Sequence, residues 1–298
     1  MNPKNKIKAR ILAGEILISD GAWGTELHKK GLKLNECPEL WNLEHRSEVL
    51  DIARSYVSAG ADMIETNSFG GSRVKLHSYG LADKTVLINK TAAEISREAA
   101  GDHVYVLGSV GPTGKILMME DITTEELYKC FAEQAEALAS GGADAIVVET
   151  MFDIEEARCA IQAARDSTTC EVICTMTFDG NKEAGFHTMM GTTPEAAADA
   201  LIASGADIIG ANCGNGIEAM VDITKELRRV DGTIPVLIQA NAGLPLTMNG
   251  KTVYPQSPED IVLWINPLIE AGANIIGGCC GTTPEHIRKI AEVVRSRK

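Results

Sequence analysis

The chain has 298 residues, 45% of them hydrophobic, and a formal net charge of −13. That length suits one large α/β domain or two smaller ones, and the acidic balance argues against nucleic acid and anionic membranes as partners. Eight cysteines are too few for a disulfide scaffold. No run reaches the ~20 apolar residues of a membrane span, and the basic start Met1–Lys8 lacks an export signal's apolar core. A cytoplasmic protein with reduced thiols is expected.

Read in order, a short N-terminal extension over 1–14 precedes a repeating pattern. One phrase recurs four times: Ala59-Gly60-Ala61-Asp62, Gly141-Gly142-Ala143-Asp144, Ser204-Gly205-Ala206-Asp207 and Ala271-Gly272-Ala273-Asn274. Each follows an amphipathic helical stretch and precedes an apolar strand, with the glycine where a helix end favours a left-handed residue. The intervals of 82, 63 and 67 residues each leave room for two strand–helix units of about 30 residues. Eight strands follow: Ile16–Ser19, Met63-Ile64, Val104–Leu107, Ala145–Val148, Val172–Met176, Ile208-Ile209, Val236–Gln239 and Ile275-Ile276. Helical patterns lie near 47–59, 84–100, 124–140, 153–166, 193–204, 216–229, 258–270 and 284–296. Several open on cap signals such as Thr193-Pro194-Glu195, Ser257-Pro258-Glu259 and Thr283-Pro284-Glu285. Strict alternation with strands apolar throughout predicts a parallel sheet closed into a (β/α)₈ barrel, a TIM barrel, as a single domain over 1–298. An open doubly wound sheet is the alternative, and it lacks its Gly-x-Gly-x-x-Gly fingerprint. Two long segments, 21–45 and 240–257, follow strands and so belong to the active face of a barrel.

Residues just past each strand should converge on one mouth. They include Asp20, Glu65-Thr66-Asn67, Ser109, Glu149-Thr150, Asn212-Cys213, Gln239, Asn241 and Cys279-Cys280. Adjacent thiols bond to each other only with difficulty, but Cys279 and Cys280, in Gly277-Gly278-Cys279-Cys280-Gly281, could hold one metal with Cys213. That would be a Cys₃ site with an open position. The plain alternative is that all three are small buried apolar residues. Strands six and eight share parity, so their inward residues can meet in one layer. Such a site holds an incoming thiol as thiolate, the nucleophilic form, which points to sulfur alkylation. Asp20 and Glu149 suit a substrate ammonium group or, equally, the capping of loop amides. His187, in the loop 179–192, could reach the mouth or lie on the surface.

The phrases Asp20-Gly21-Ala22-Trp23-Gly24-Thr25, Glu65-Thr66-Asn67-Ser68-Phe69-Gly70, Gly111-Pro112-Thr113-Gly114, Glu149-Thr150-Met151, Asn212-Cys213-Gly214, Asn241-Ala242-Gly243-Leu244-Pro245 and Gly277–Pro284 together resemble the homocysteine S-methyltransferase family. The likeness is to the homocysteine-binding barrel of cobalamin-dependent methionine synthases, over about 15–297. It implies a Zn²⁺ ion held by Cys213, Cys279 and Cys280. L-homocysteine would bind through its sulfur and be methylated to methionine. Asp20 and Glu149 would lie near its amino-acid portion, with Thr66 and Asn67 lining the same pocket. The chain departs from the family pattern at Ala22, where a glycine is usual. Because one barrel accounts for the whole length, the expected donor is a separate methyl-corrinoid protein carrying methylcobalamin. S-methylmethionine or a betaine are the donors of sibling branches. Methyl transfer on another thiol, or a non-catalytic zinc-binding subunit that docks a corrinoid protein, are the competing readings.

Overall fold

The structure, a computed structural model, describes residues 6–248 and 251–297. Eight parallel strands form a nearly closed barrel: β1 Leu17–Ile18, β2 Met63–Glu65, β3 Tyr105–Val110, β4 Ala145–Met151, β5 Glu171–Met176, β6 Ile208–Gly216, β7 Val236–Asn241 and β8 Ile275–Gly278. Eight helices alternate with them: α1 Arg46–Ala59, α2 Thr85–Ala100, α3 Thr124–Ser140, α4 Ile154–Ser167, α5 Pro194–Ala203, α6 Ile217–Arg228, α7 Pro258–Ala271 and α8 Pro284–Arg295. The barrel expectation holds. The strand ends differ: β3, β4 and β6 run on past their apolar cores, so Ser109, Glu149-Thr150 and Asn212-Cys213 lie inside strands rather than after them. Hydrogen-bond pairing resumes beyond a slip in register at Val148/Met151 and at Asn212/Gly216, and such bulges carry a strand further while re-aiming its side chains.

Alternation decides what fills the lumen. Leu17, Met63, Tyr105, Leu107, Val147, Ile173, Leu237 and Ile275 pack into one apolar cluster, while their sequence neighbours pack outward on the helices. Helix Ile7–Leu12 plugs the bottom with Ile7 and Ile11. Glu171 of β5 caps that helix, accepting from Ile7 N at 2.7 Å and Lys8 N at 3.1 Å. Residues 1–5 of the predicted extension lie outside the described residues. A Glu171→Ala substitution is expected to cost roughly 1–3 kcal/mol, the usual penalty for orphaned buried donors, seen as a lower thermal midpoint.

The recurring Gly-Ala-Asp phrase does more than end helices. Gly60, Gly142, Gly205 and Gly272 do take left-handed φ values, from 89° to 112°. The acidic or amide residue two positions on then stitches its strand to the one before it in sequence. Asp62, Asp144 and Asp207 accept, through side-chain oxygens, the backbone N–H of Ile18, Val106 and Val172, and Asn274 accepts that of Val236. Each donates its own N–H to the same residue's carbonyl at 2.7–2.9 Å. An arginine near the end of every second helix completes the pattern. Arg97, Arg165, Arg228 and Arg295 donate to the carbonyls of Gly142, Gly205, Gly272 and Gly60 in turn. At the seam between β1 and β2 carboxylates stand in for the ladder. Asp62 binds Ile18 there, and Asp20 Oδ2 accepts Glu65 N at 2.8 Å.

Both long segments carry structure of their own. Segment 21–45 folds into short helices at Trp23–Lys29, Pro38–Leu40 and Trp41–Glu44. Within 240–257, Leu246–Met248 pairs with Lys251–Val253. The loop 179–192 is a hairpin, Asp179–Asn181 against Gly185–His187, anchored by buried Phe186. No helix among the described residues is long and apolar enough to cross a membrane.

Candidate metal centre

Continuing the inward alternation above the apolar layer brings a polar layer to the mouth, where a cavity of about 370 Å³ opens. Glu65, Ser109, Glu149, Gln239 and Cys279 line it, with Cys213 and Cys280. The three cysteines, predicted from two distant stretches, are brought together: their sulfurs lie within 4.8 Å of one another. The turn bearing Cys279 and Cys280 is fastened on both sides. Gly278 N donates to Asp20 O at 2.9 Å, Cys279 N to Ala240 O at 2.7 Å, and Ala242 N to Cys280 O at 2.9 Å. Gly281 takes φ 82°, and a Cβ there would stand 2.3 Å from Tyr254. Only glycine fits that turn.

The sulfurs share protons. Hydrogen bonds from Cys213, then Cys279, pull Cys280 down to about 3, while the bond with Cys213, more than any other cause, pushes Cys279 well above the ordinary thiol range. The other cysteines are set apart: burial raises Cys174, and likewise Cys159 to about 11, which leaves them inert thiols.

The donor set fits a soft divalent ion. Three thiolate-forming sulfurs at this spacing are what Zn²⁺ takes up, with room for one further ligand. Two buried oxygens at the end of β7, Gln239 Oε1 and Asn241 Oδ1, have no hydrogen-bond partner, and β7 lies between β6, which carries Cys213, and β8, which leads into Cys279 and Cys280.

Around the sulfurs the cavity is acidic. Glu149 accepts from Ser109 Oγ and, at 3.3 Å, from Asn212 Nδ2. Burial lifts it to about 7. Glu65 accepts from Gln239 Nε2 at 2.7 Å and is raised well above the carboxylate range, first by burial, then by Glu149 and Asp20. The resemblance puts Asp20 near the amino-acid portion of the substrate. It is fully buried and lies outside the cavity lining. Its Oδ2 accepts from Trp23 Nε1 and Glu65 N, both at 2.8 Å, so it braces the wall from behind and adds charge through it. Burial lifts Asp20, too, to about 7. Glu65, placed at the mouth by the sequence but not among its substrate contacts, takes the position at the front. Counting by twos from Met63 would have found it.

Thr66 and Asn67 line the cavity, though their side chains serve its frame. Thr66 Oγ1 bonds Ser68 Oγ at 2.6 Å and accepts from Ser109 N, and Asn67 Nδ2 donates to Pro38 O at 2.8 Å. His187 is exposed on its hairpin, away from the cavity lining. Trp23 and Phe69 add aromatic wall.

A barrel whose mouth gathers three thiols and buried carboxylates over an apolar plug defines a protein that can hold a metal ion and a small cationic ligand. The family model for homocysteine S-methyltransferase matches residues 17–294, and the chain belongs to that family. Methionine synthase of Mycobacterium leprae (strain TN) is 34% identical over 302 residues, covering 95% of this chain and 24% of the relative. Methionine synthase of Mycobacterium tuberculosis (strain ATCC 25618 / H37Rv) is also 34% identical, over 307 residues, 97% of this chain and 25% of the relative. The chain thus spans about a quarter of the length of these enzymes. Among solved structures, the metallated form of homocysteine methyltransferase MmuM from Escherichia coli superposes with a TM-score of 0.78 at 22% identity, over 96% of this chain and 99% of that one. That likeness carries the fold.

Proposed function

We propose that this chain binds L-homocysteine at the mouth of its barrel and takes part in methylating it to methionine. The observation that carries this reading is the meeting of the Cys213, Cys279 and Cys280 sulfurs at a cavity bordered by carboxylates. Those cysteines would hold Zn²⁺, whose charge keeps an added thiol ionised near neutral pH. Glu149 and Glu65, with Asp20 behind them, would receive the ammonium group, whose positive charge offsets their mutual repulsion. Trp23 and Phe69, which line the same cavity, would border the substrate with aromatic surface. The thiol would lose its proton to solvent, and its sulfur pair would bond to the methyl carbon as the donor departs with the electron pair of the donor–methyl bond. The methyl donor proposed first is a methyl-corrinoid protein, in keeping with the likeness to methionine synthases; S-methylmethionine and betaine are the alternatives.

The test is methionine formation assayed side by side with methylcobalamin, S-methylmethionine and betaine, together with zinc content under reducing conditions. Turnover with methylcobalamin at about one zinc per chain is expected. Full turnover after exhaustive chelation would remove the metal from the reading. Dialysis against a chelator is further expected to abolish homocysteine binding, and added zinc to restore it, as followed by calorimetry.

A further inference from the structure

Among the described residues, three other than glycine hold a left-handed backbone: Glu120 in a loop, and Thr150 and Cys213, both with φ near 58°. Such conformations are costly for residues with a side chain and persist only where the surroundings over-determine them. Thr150 stands in the register slip of β4, and Cys213 in that of β6. One side chain ties the two slips together.

Asn212 is fully buried. Its Oδ1 accepts from Thr150 N at 2.8 Å and from Thr175 Oγ1 at 2.7 Å, so it pins β4, β5 and β6 at one height. Its Nδ2 lies 2.7 Å from Thr150 Oγ1, 3.3 Å from Glu149 Oε2 and 3.9 Å from Cys279 Sγ. A single amide nitrogen therefore stands between the carboxylate and the sulfur cluster, on a backbone that has little freedom to shift.

We propose that Asn212 is a positioning residue that fixes the span from Glu149 to the cysteine cluster and so sets the chain length of the thiol substrate. This rests on the proposed function, in which the ligand is anchored by sulfur at one end and ammonium at the other. Two fixed anchors accept one length of carbon chain: a methylene fewer leaves one anchor unmet. If the span loosens, that discrimination is lost even where both anchors survive.

The experiment measures binding of homocysteine and of cysteine, one methylene shorter, to the zinc-loaded protein by calorimetry. Wild type, Asn212→Ala, Thr175→Val and the double variant Asn212→Ala/Thr150→Gly are compared. Absorption of the cobalt-substituted forms without thiol reports the cluster itself. Wild type should favour homocysteine by roughly 10–200-fold, the usual worth of one methylene in a fitted pocket. Asn212→Ala should bring the two affinities close together and change the cobalt spectrum. The glycine at 150 holds a left-handed backbone without strain, so the double variant should recover part of the ratio. Thr175→Val, which removes one hydroxyl from the amide, should move the ratio less but in the same direction, and it serves if Asn212→Ala does not fold. An unchanged ratio in folded Asn212→Ala or in Thr175→Val overturns this inference alone. A wild type that binds neither thiol overturns the proposed function and this inference with it.

Discussion

Replacing Cys279 by alanine is expected to abolish methyl transfer, by at least about a thousandfold, because several kcal/mol of charge stabilisation goes with the ion. The reason is geometric. Cys279 directly follows β8, its N–H is spent on Ala240 O, and its carbonyl accepts from Thr282 Oγ1 at 2.7 Å. The backbone is held whatever side chain it carries, so the variant should fold. Loss of one sulfur in three leaves Cys213 and Cys280 a poor grip on zinc. The measurement is zinc retained after dialysis against a chelator, alongside turnover and thermal midpoint. A variant that kept both zinc and turnover would show that Cys279 plays no part in either.

Metal-free protein is expected to lose stability as pH rises from about 4 to 7. Asp20 and Glu149 are both lifted to about 7, chiefly by burial, from ordinary values near 3.9 and 4.3. A carboxyl raised in the folded state binds its proton more tightly there than in the unfolded chain. Its stabilising contribution is therefore complete below about pH 4 and is lost as pH climbs through 7. For Asp20 alone the lift to about 7 corresponds to a few kcal/mol. The two acids feel each other's charge, so their contributions do not simply add. Asp20→Asn isolates the effect: its amide oxygen can still accept from Trp23 Nε1 and Glu65 N, and it carries no titrating proton. Denaturant unfolding of both proteins at pH 5 and pH 8 should find wild type gaining on the variant at the lower pH. An equal difference at both pH values would mean that Asp20 is ionised throughout.

Much of the barrel was legible because strands buried on both faces are written as short apolar runs, and because Gly-Ala-Asp recurs where helices end. The cysteine cluster was legible through parity: strands two apart in a barrel share inward layers. What escaped the sequence depends on register. Asp20 lies just past β1 and Glu65 ends β2, and one residue of offset decides which looks into the lumen and which braces it from behind. The continuation of β4 and β6 through Thr150 and Cys213 could not be read either, since those residues have no intrinsic preference for a left-handed backbone. The four arginines were in plain view at intervals of 68, 63 and 67 residues. Their meaning needed the partner carbonyls.

Arg295 sits in the final helix yet holds Gly60, at the end of the first. During synthesis the opening quarter of the barrel must therefore wait, its latch unfilled, until the segment bearing Arg295 has emerged from the ribosome. A nascent chain arrested before that point would expose the β1–β2 seam, where carboxylates replace the ladder. Chaperone capture should accordingly fall sharply once that segment is free and the ring can shut.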